Sequence, residues 1–221
     1  MSKTFLIIVP FIIAVFIRFK PFDLLLRTFN TLTHELSHAF IAVLLRQKVQ
    51  KIALNKDFSG VCVTKITNKK ASFFISLAGY LLPGIIGYIF IRMTDTPTTT
   101  LPFYIMLTVS IIAIILAIAN SFGRVWTICF AGLNFIFILV PIFRPYYNHI
   151  LYFYGCTLLI ENILSTITLL YITLVSPKKS GDSALLKKAT RIPAICWSFF
   201  FFCFSVAALI LSFKFIAEHL V

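Results

Sequence analysis

Thr33-His34-Glu35-Leu36-Ser37-His38-Ala39-Phe40 carries an H-E-x-x-H string. On a helix His34 and His38 stand at i and i+4, so both imidazoles leave on one face. That spacing lets two neutral ring nitrogens bind one Zn²⁺ at about 2.0–2.1 Å each. Glu35 follows the first of them, where its carboxylate can take a proton from water that the metal acidifies. The product is a hydroxide able to attack a peptide carbonyl. With four His and seven acids in 221 residues, chance supplies this string about 0.002 times. The competing explanation is a buried, hydrogen-bonded polar cluster joining helices. Two His and a Glu at the centre of an apolar helix are costly, about 2.5–3.5 kcal/mol per charge on insertion scales, which favours a functional site.

A catalytic zinc keeps three protein ligands and one open position. The chain offers few third ligands. Asp23 and Asp95 fall at the far ends of apolar segments, Asp57 in a turn, Glu218 and His219 at the C-terminus, and His149 at the start of a segment. Glu161 and Asp182 remain. Glu161 is about 20 Å and His34 about 17 Å from the inner end of its own helix, at 1.5 Å per residue. On depth and membrane cost Glu161 is favoured. Asp182 lies in a polar stretch, where it also fits a plain helix N-cap.

The elements that must position these groups are membrane helices. Sixty per cent of the chain is apolar, 16 % is aromatic with 25 Phe, 12 % is charged, and the mean hydropathy is +0.98. That excludes disordered, fibrous and ordinary soluble classes. A bilayer core takes about 20 apolar helical residues. Segments 4–20, 23–45, 71–91, 101–119, 124–143, 148–175 and 193–216 qualify, giving an all-α polytopic protein of six or seven spans in a single domain, 1–221. Lys3 and the apolar run after it lead to Arg18-Phe19-Lys20-Pro21, which reads as an uncleaved first span.

Between the second and third spans, Val49–Leu54 and Val61–Ile66 are β-prone and Asn55–Gly60 is turn-like, which predicts a small cytoplasmic hairpin. Its strands could accept an extended peptide as an added strand. The net charge is +13. With the N-terminus, 46–70, 120–124 and 176–192 on one side, fourteen basic residues lie there and six opposite. The positive-inside rule then makes the N-terminus and the loops 46–70 and 176–192 cytoplasmic. The charge therefore orients the chain against lipid and gives no reason to invoke nucleic acid. Lys178, Lys179, Lys187, Lys188 and Arg191 read as a solvated face against head groups. Five cysteines form no C-x-x-C pair and are expected as buried, inert thiols. Gly79, Gly84 and Gly87 with Pro83 point to close helix packing and a kink, and Asn30, one turn before His34, to a helix–helix hydrogen bond.

Four places in order carry a family likeness: Thr33–Ala39; the basic hairpin Val49–Ile66 with Ser59-Gly60-Val61; Leu77-Ala78-Gly79-Tyr80-Leu81-Leu82-Pro83-Gly84-Ile85-Ile86-Gly87; and Gly181-Asp182-Ser183-Ala184-Leu185-Leu186 running to Thr190-Arg191-Ile192-Pro193-Ala194 and Trp197. The chain resembles the site-2-protease-like intramembrane zinc metallopeptidases, in their short, bacterial-type branch without a PDZ domain. The resemblance implies a zinc cofactor and a transmembrane protein substrate, cut in regulated intramembrane proteolysis in a bacterial cytoplasmic membrane. It implies His34, His38 and Asp182 as metal ligands and Glu35 as general base. The Leu-Asp-Gly of better-known members is missing here, so Glu161 stays open as the alternative third ligand. Substrate-binding residues are not assigned. The rivals to a protease are a metal-retaining pseudo-protease that holds partner helices, and a metal or proton transporter. The paired broken helices or repeats of transporters are not seen.

Overall fold

The computed structural model describes residues 3–97, 99–116 and 118–219. Residues 1–2 of the N-terminus, Thr98 of the predicted outer loop and Ala117 of the fourth predicted span lie outside them. The described elements are α1 (Lys3–Phe16), α2 (Phe22–Leu44), β1 (Lys48–Leu54), β2 (Gly60–Lys65), α3 (Lys69–Met93), α4 (Leu101–Leu116), α5 (Ser121–Leu139), α6 (Tyr147–Val175), α7 (Asp182–Thr190) and α8 (Ala194–His219). Short 3-10 turns, Pro141–Tyr146 and Pro177–Lys179, lead into α6 and α7.

Among the described residues, four helical stretches are long and apolar enough to cross a membrane: Lys69–Met93, Ser121–Leu139, Pro141–Val175 and Ala194–His219. Helix α4 is apolar but shorter, and α1 has only 14 residues with Pro10 inside it. Helix α2 has 23 residues, yet Arg27, Asn30, His34, Glu35 and His38 make it too polar for that group. It survives at depth because α3, α6 and the hairpin pack against it. Its buried side chains are mainly polar or small: Asp23, Thr28, Asn30, Glu35, Ser37, His38, Ala39 and Ala42.

The hairpin that the sequence predicts forms, and it lies lengthwise along α2. Seven residues of β1 rise about 23 Å, close to the ~26 Å between Arg27 and Leu44. At the base, Gln47 Oε1 accepts the Thr67 N–H at 2.8 Å. At the tip, Thr31 Oγ1 donates to the Phe58 carbonyl at 2.9 Å and the Arg27 guanidinium sits 4.0 Å over the Phe58 ring. Phe58 has φ 66°, and Ser59 donates its hydroxyl and N–H to Asp57, holding that carboxyl below the usual range. Ile52 and Leu54 are fully buried, in one apolar cluster with Phe29, Leu32, Ala39 and Trp126.

Irregular backbone inside a bilayer must be satisfied by protein. On its outer side β1 meets the α4–α5 connection. Ile52 bridges Ile118, the Ala119 N–H donates to the Ile52 carbonyl at 2.9 Å, and the Asn120 amide brackets Leu54, accepting its N–H and donating to its carbonyl. Among the described residues no further strand pairs with the outer edge of β2.

Asn162 on α6 donates to the Tyr80 carbonyl on α3 at 3.1 Å and to Ser205 on α8 at 2.9 Å, tying three helices where Pro83 interrupts α3. Asn30 reaches Ser165 on α6 at 3.5 Å, so it bridges helices as its position implies. The cysteines depart from expectation. Cys156 is buried and Cys62 half-buried, but Cys129, Cys196 and Cys203 are exposed, on the outward faces of apolar helices. Pro193 precedes α8, which begins at Ala194.

Candidate metal centre

Helix α2 places His34 and His38 one turn apart, and their Nε2 atoms lie 3.1 Å from each other. Their rings meet edge to face with centroids 4.7 Å apart. The His38 ring is oriented from behind: its Nδ1 lies 2.7 Å from the Ile75 carbonyl on α3, which accepts a hydrogen bond from the ring N–H. A proton on Nδ1 leaves the Nε2 lone pair facing His34. Tyr80 packs edge to face on the His34 ring at 4.6 Å.

Asp182 completes the group. Its Oδ2 lies 3.4 Å from His34 Nε2 and 3.3 Å from His38 Nε2, and its side chain is 12 % exposed. Burial works against its ionisation, but with the His38 and His34 rings protonated their charge outweighs that and holds the carboxyl well below the usual range. Asp182 is the first residue of α7, and Gly181, at φ 51°, stands in the N-cap position without a side-chain cap. The N-cap alternative for Asp182 therefore gives way to a contact with both histidines.

A chain of hydroxyls holds α7 in that position. Ser183 is fully buried, and Ser198 of α8 donates to it at 2.8 Å and pairs with Thr173 of α6 at 2.7 Å. Leu186 packs with Leu169 and Phe201. The polar stretch folds back onto the bundle, so Asp182 reaches the histidines although it follows the end of α6.

Glu161 is placed elsewhere. It is 3 % exposed and stands 3.3 Å from Arg27 Nε and 3.6 Å from the Arg18 guanidinium. It lies outside the His34–His38–Asp182 group. Depth and membrane cost favour Glu161 as a ligand, and here the partners of its carboxylate are two arginines on the α1–α2 side.

Glu35 is 5 % exposed. It interacts electrostatically with His34, His38 and Asp182 and accepts the Cys62 N–H from β2. Gly60, at the start of β2, lies against the Glu35 side chain; a Cβ there would stand 2.6 Å from Glu35 Cγ. A Cβ at Gly79 of α3 would stand 2.5 Å from His38 Nε2 and 2.6 Å from His34 Cε1. Both glycines let backbone approach the site more closely than any side chain permits. The sequence around Gly79 points to helix packing. Its position under the histidines is visible only once α2 and α3 are paired.

These residues fit a zinc ion. Four ligands at 2.0–2.1 Å in a tetrahedron are separated from one another by about 3.3–3.4 Å. The three pairs observed here span 3.1–3.4 Å. Two neutral imidazoles with lone pairs facing at 3.1 Å repel unless a proton or a cation lies between them. Two nitrogens and one carboxylate oxygen form a donor set that zinc accepts.

A search of curated proteins and of solved structures returns no match. The model of one family, described as Peptidase M50B-like, matches residues 6–212, from α1 through most of α8. The chain therefore belongs to the Peptidase M50B-like family, that is, to the site-2 proteases.

Proposed function

We propose that the protein is an intramembrane zinc endopeptidase that hydrolyses a peptide bond in a membrane-spanning protein substrate. The observation that carries this is the His34–His38–Asp182 triangle, with zinc-like spacing, beside the Glu35 carboxylate. Family membership supports a peptidase acting in the membrane. His34, His38 and Asp182 would hold a zinc ion, which would supply Lewis acidity for water and for the scissile carbonyl.

The remaining chemistry belongs to the chain. Glu35 is the general base. It takes the proton from the attacking water and returns it to the leaving amine, which balances the hydrolysis. The Cys62 N–H holds one face of the Glu35 carboxylate. The Ile75 carbonyl fixes the His38 tautomer, so His38 offers Nε2 to the metal. The outer edge of β2 passes Glu35 at Gly60–Cys62. A substrate segment unwound into an extended strand could add to that edge with its carbonyls beside the catalytic group. Helical substrates must unwind there, because helix carbonyls are already hydrogen-bonded.

Purified Glu35→Gln protein tests the reading. Zinc is expected to stay at wild-type stoichiometry while cleavage of a model transmembrane substrate is lost, by about 10²-fold or more. Zinc-loaded Glu35→Gln that still cleaves would overturn the mechanism. Zinc content of Asp182→Asn against Glu161→Gln tests the third ligand, and only the first is expected to lose metal.

A further inference from the structure

The segment that delivers Asp182 carries five cations within fourteen residues, 178–191. Lys178, Lys179, Lys187, Lys188 and Arg191 are all exposed, and among the described residues none has an ion pair or side-chain hydrogen bond. The one acid of the segment, Asp182, is turned inward to the histidines. Among the described residues no carboxylate pairs with these cations.

The placement is that of a bilayer interface. α6 ends at Val175 and α8 begins at Ala194, so α7 caps one end of two membrane-spanning helices. Ser183 bonds Ser198, four residues into α8 and so about 6 Å from its start. Along the outward side of the segment, Leu185 and Ile192 are exposed at 40 % and 43 % and alternate with the cations. Leu185 and Lys188 stand at i and i+3 on α7, and Ile192 follows just beyond the left-handed Arg191 that ends the helix. Apolar side chains mixed with lysines on one face suit the boundary between head groups and acyl chains, and not open water or a flat acidic protein surface. Trp197, whose indole N–H donates to Thr190 at 3.2 Å, stands at the same level.

We propose that α7 is an anionic-lipid sensor coupled to the metal centre. Acidic phospholipid head groups bind the Lys178, Lys179, Lys187, Lys188 and Arg191 face and favour the docked position of α7, in which Asp182 joins His34 and His38. The coupling is a population shift: a ligand that binds only the docked state stabilises it in proportion to occupancy. The hold on α7 is suited to such control. It rests on Leu186, the Ser183–Ser198–Thr173 chain and the Thr190–Trp197 bond. The proposal rests on Asp182 being a ligand, and the experiment separates the two.

The test uses full-length protein in nanodiscs of phosphatidylcholine, with or without about 30 % phosphatidylglycerol. Zinc Kd is read by chelator competition, and docking by Trp197 fluorescence in Trp126→Phe, since the chain has two Trp. Anionic lipid is expected to lower the zinc Kd about tenfold and to blue-shift Trp197 without zinc. The variant K178Q/K179Q/K187Q/K188Q is expected to keep the zinc Kd measured in neutral lipid and to lose the lipid response. Equal zinc Kd and equal fluorescence in both bilayers would overturn the proposal. So would a lipid response retained by the quadruple variant, or the same response to soluble inorganic polyphosphate in neutral nanodiscs, which would assign the face to a free anion. Asp182→Asn with wild-type zinc affinity and an intact fluorescence response would refute the ligand reading and leave lipid sensing standing.

Discussion

Gly79→Ala is the sharpest perturbation of the metal centre that leaves every donor atom in place. The added methyl carbon would stand 2.5 Å from His38 Cε1 and Nε2 and 2.6 Å from His34 Cε1. Ordinary contact begins near 3.4 Å, so either the two rings or α3 must yield by about 1 Å. Neither yields freely. His38 is held to α3 itself through the Ile75 carbonyl at 2.7 Å, and α3 is fixed to α6 by Asn162 and at its start by the Asn68 cap. Zinc–ligand distances tolerate about 0.2 Å. A displacement several times larger, acting on two of the three proposed ligands together, should weaken zinc binding by about 10²-fold, or ~2.7 kcal/mol. Overpacking itself should cost about 1–3 kcal/mol of stability.

The assay is zinc Kd by chelator competition, with thermal unfolding of the metal-free protein alongside. Gly87→Ala is the control. Its methyl would meet Leu159 Cγ at 2.9 Å and the Gly155 carbonyl at 3.1 Å, two helical turns beyond Gly79. It should lower stability while leaving zinc Kd within about threefold. Gly79→Ala binding zinc within about threefold of wild type would show that the two histidines do not form the metal site across Gly79.

Glu161→Gln removes the charge that pairs Arg27 and Arg18. The two arginine side chains keep 23 % and 39 % exposure, so solvent and lipid head groups soften the loss. About 1–3 kcal/mol of stability should go, less than for a fully buried pair. Arg27 carries the Phe58 ring of the hairpin tip, so cleavage should fall with it while zinc stoichiometry stays unchanged, as metal analysis and thermal unfolding would show. Asn120→Ala leaves the Leu54 N–H and carbonyl without their partners in a buried strand. About 1–3 kcal/mol of stability should be lost, and hydrogen exchange at Leu54 should accelerate with zinc affinity preserved; an unchanged Leu54 exchange rate would show that the strand does not depend on that bracket.

What could be read from the sequence was local, and what could not was set by distant contacts. His34, Glu35 and His38 were legible because their geometry follows from one helical turn. The hairpin was legible because Asn55–Gly60 is turn chemistry between β-prone runs. Its docking was not. A seven-residue strand matches the length of α2 only when Asn120, 66 residues beyond Leu54, and Arg27 are brought to it. The two third-ligand candidates make the same point more strongly. Rise along single helices puts Glu161 near the depth of His34, and the cost of an isolated buried acid is real. That cost is offset wherever a cation can reach, and Arg27 and Arg18 reach Glu161 from 134 and 143 positions away in sequence. Asp182 comes from a segment whose composition alone places it in water. A left-handed turn at Gly181 and three hydroxyls on α6, α7 and α8 bring it back into the bundle. Rarity of acids in an apolar chain therefore identifies the residues that need explaining. Which of them joins the two histidines depends on where the chain's cations have already been committed.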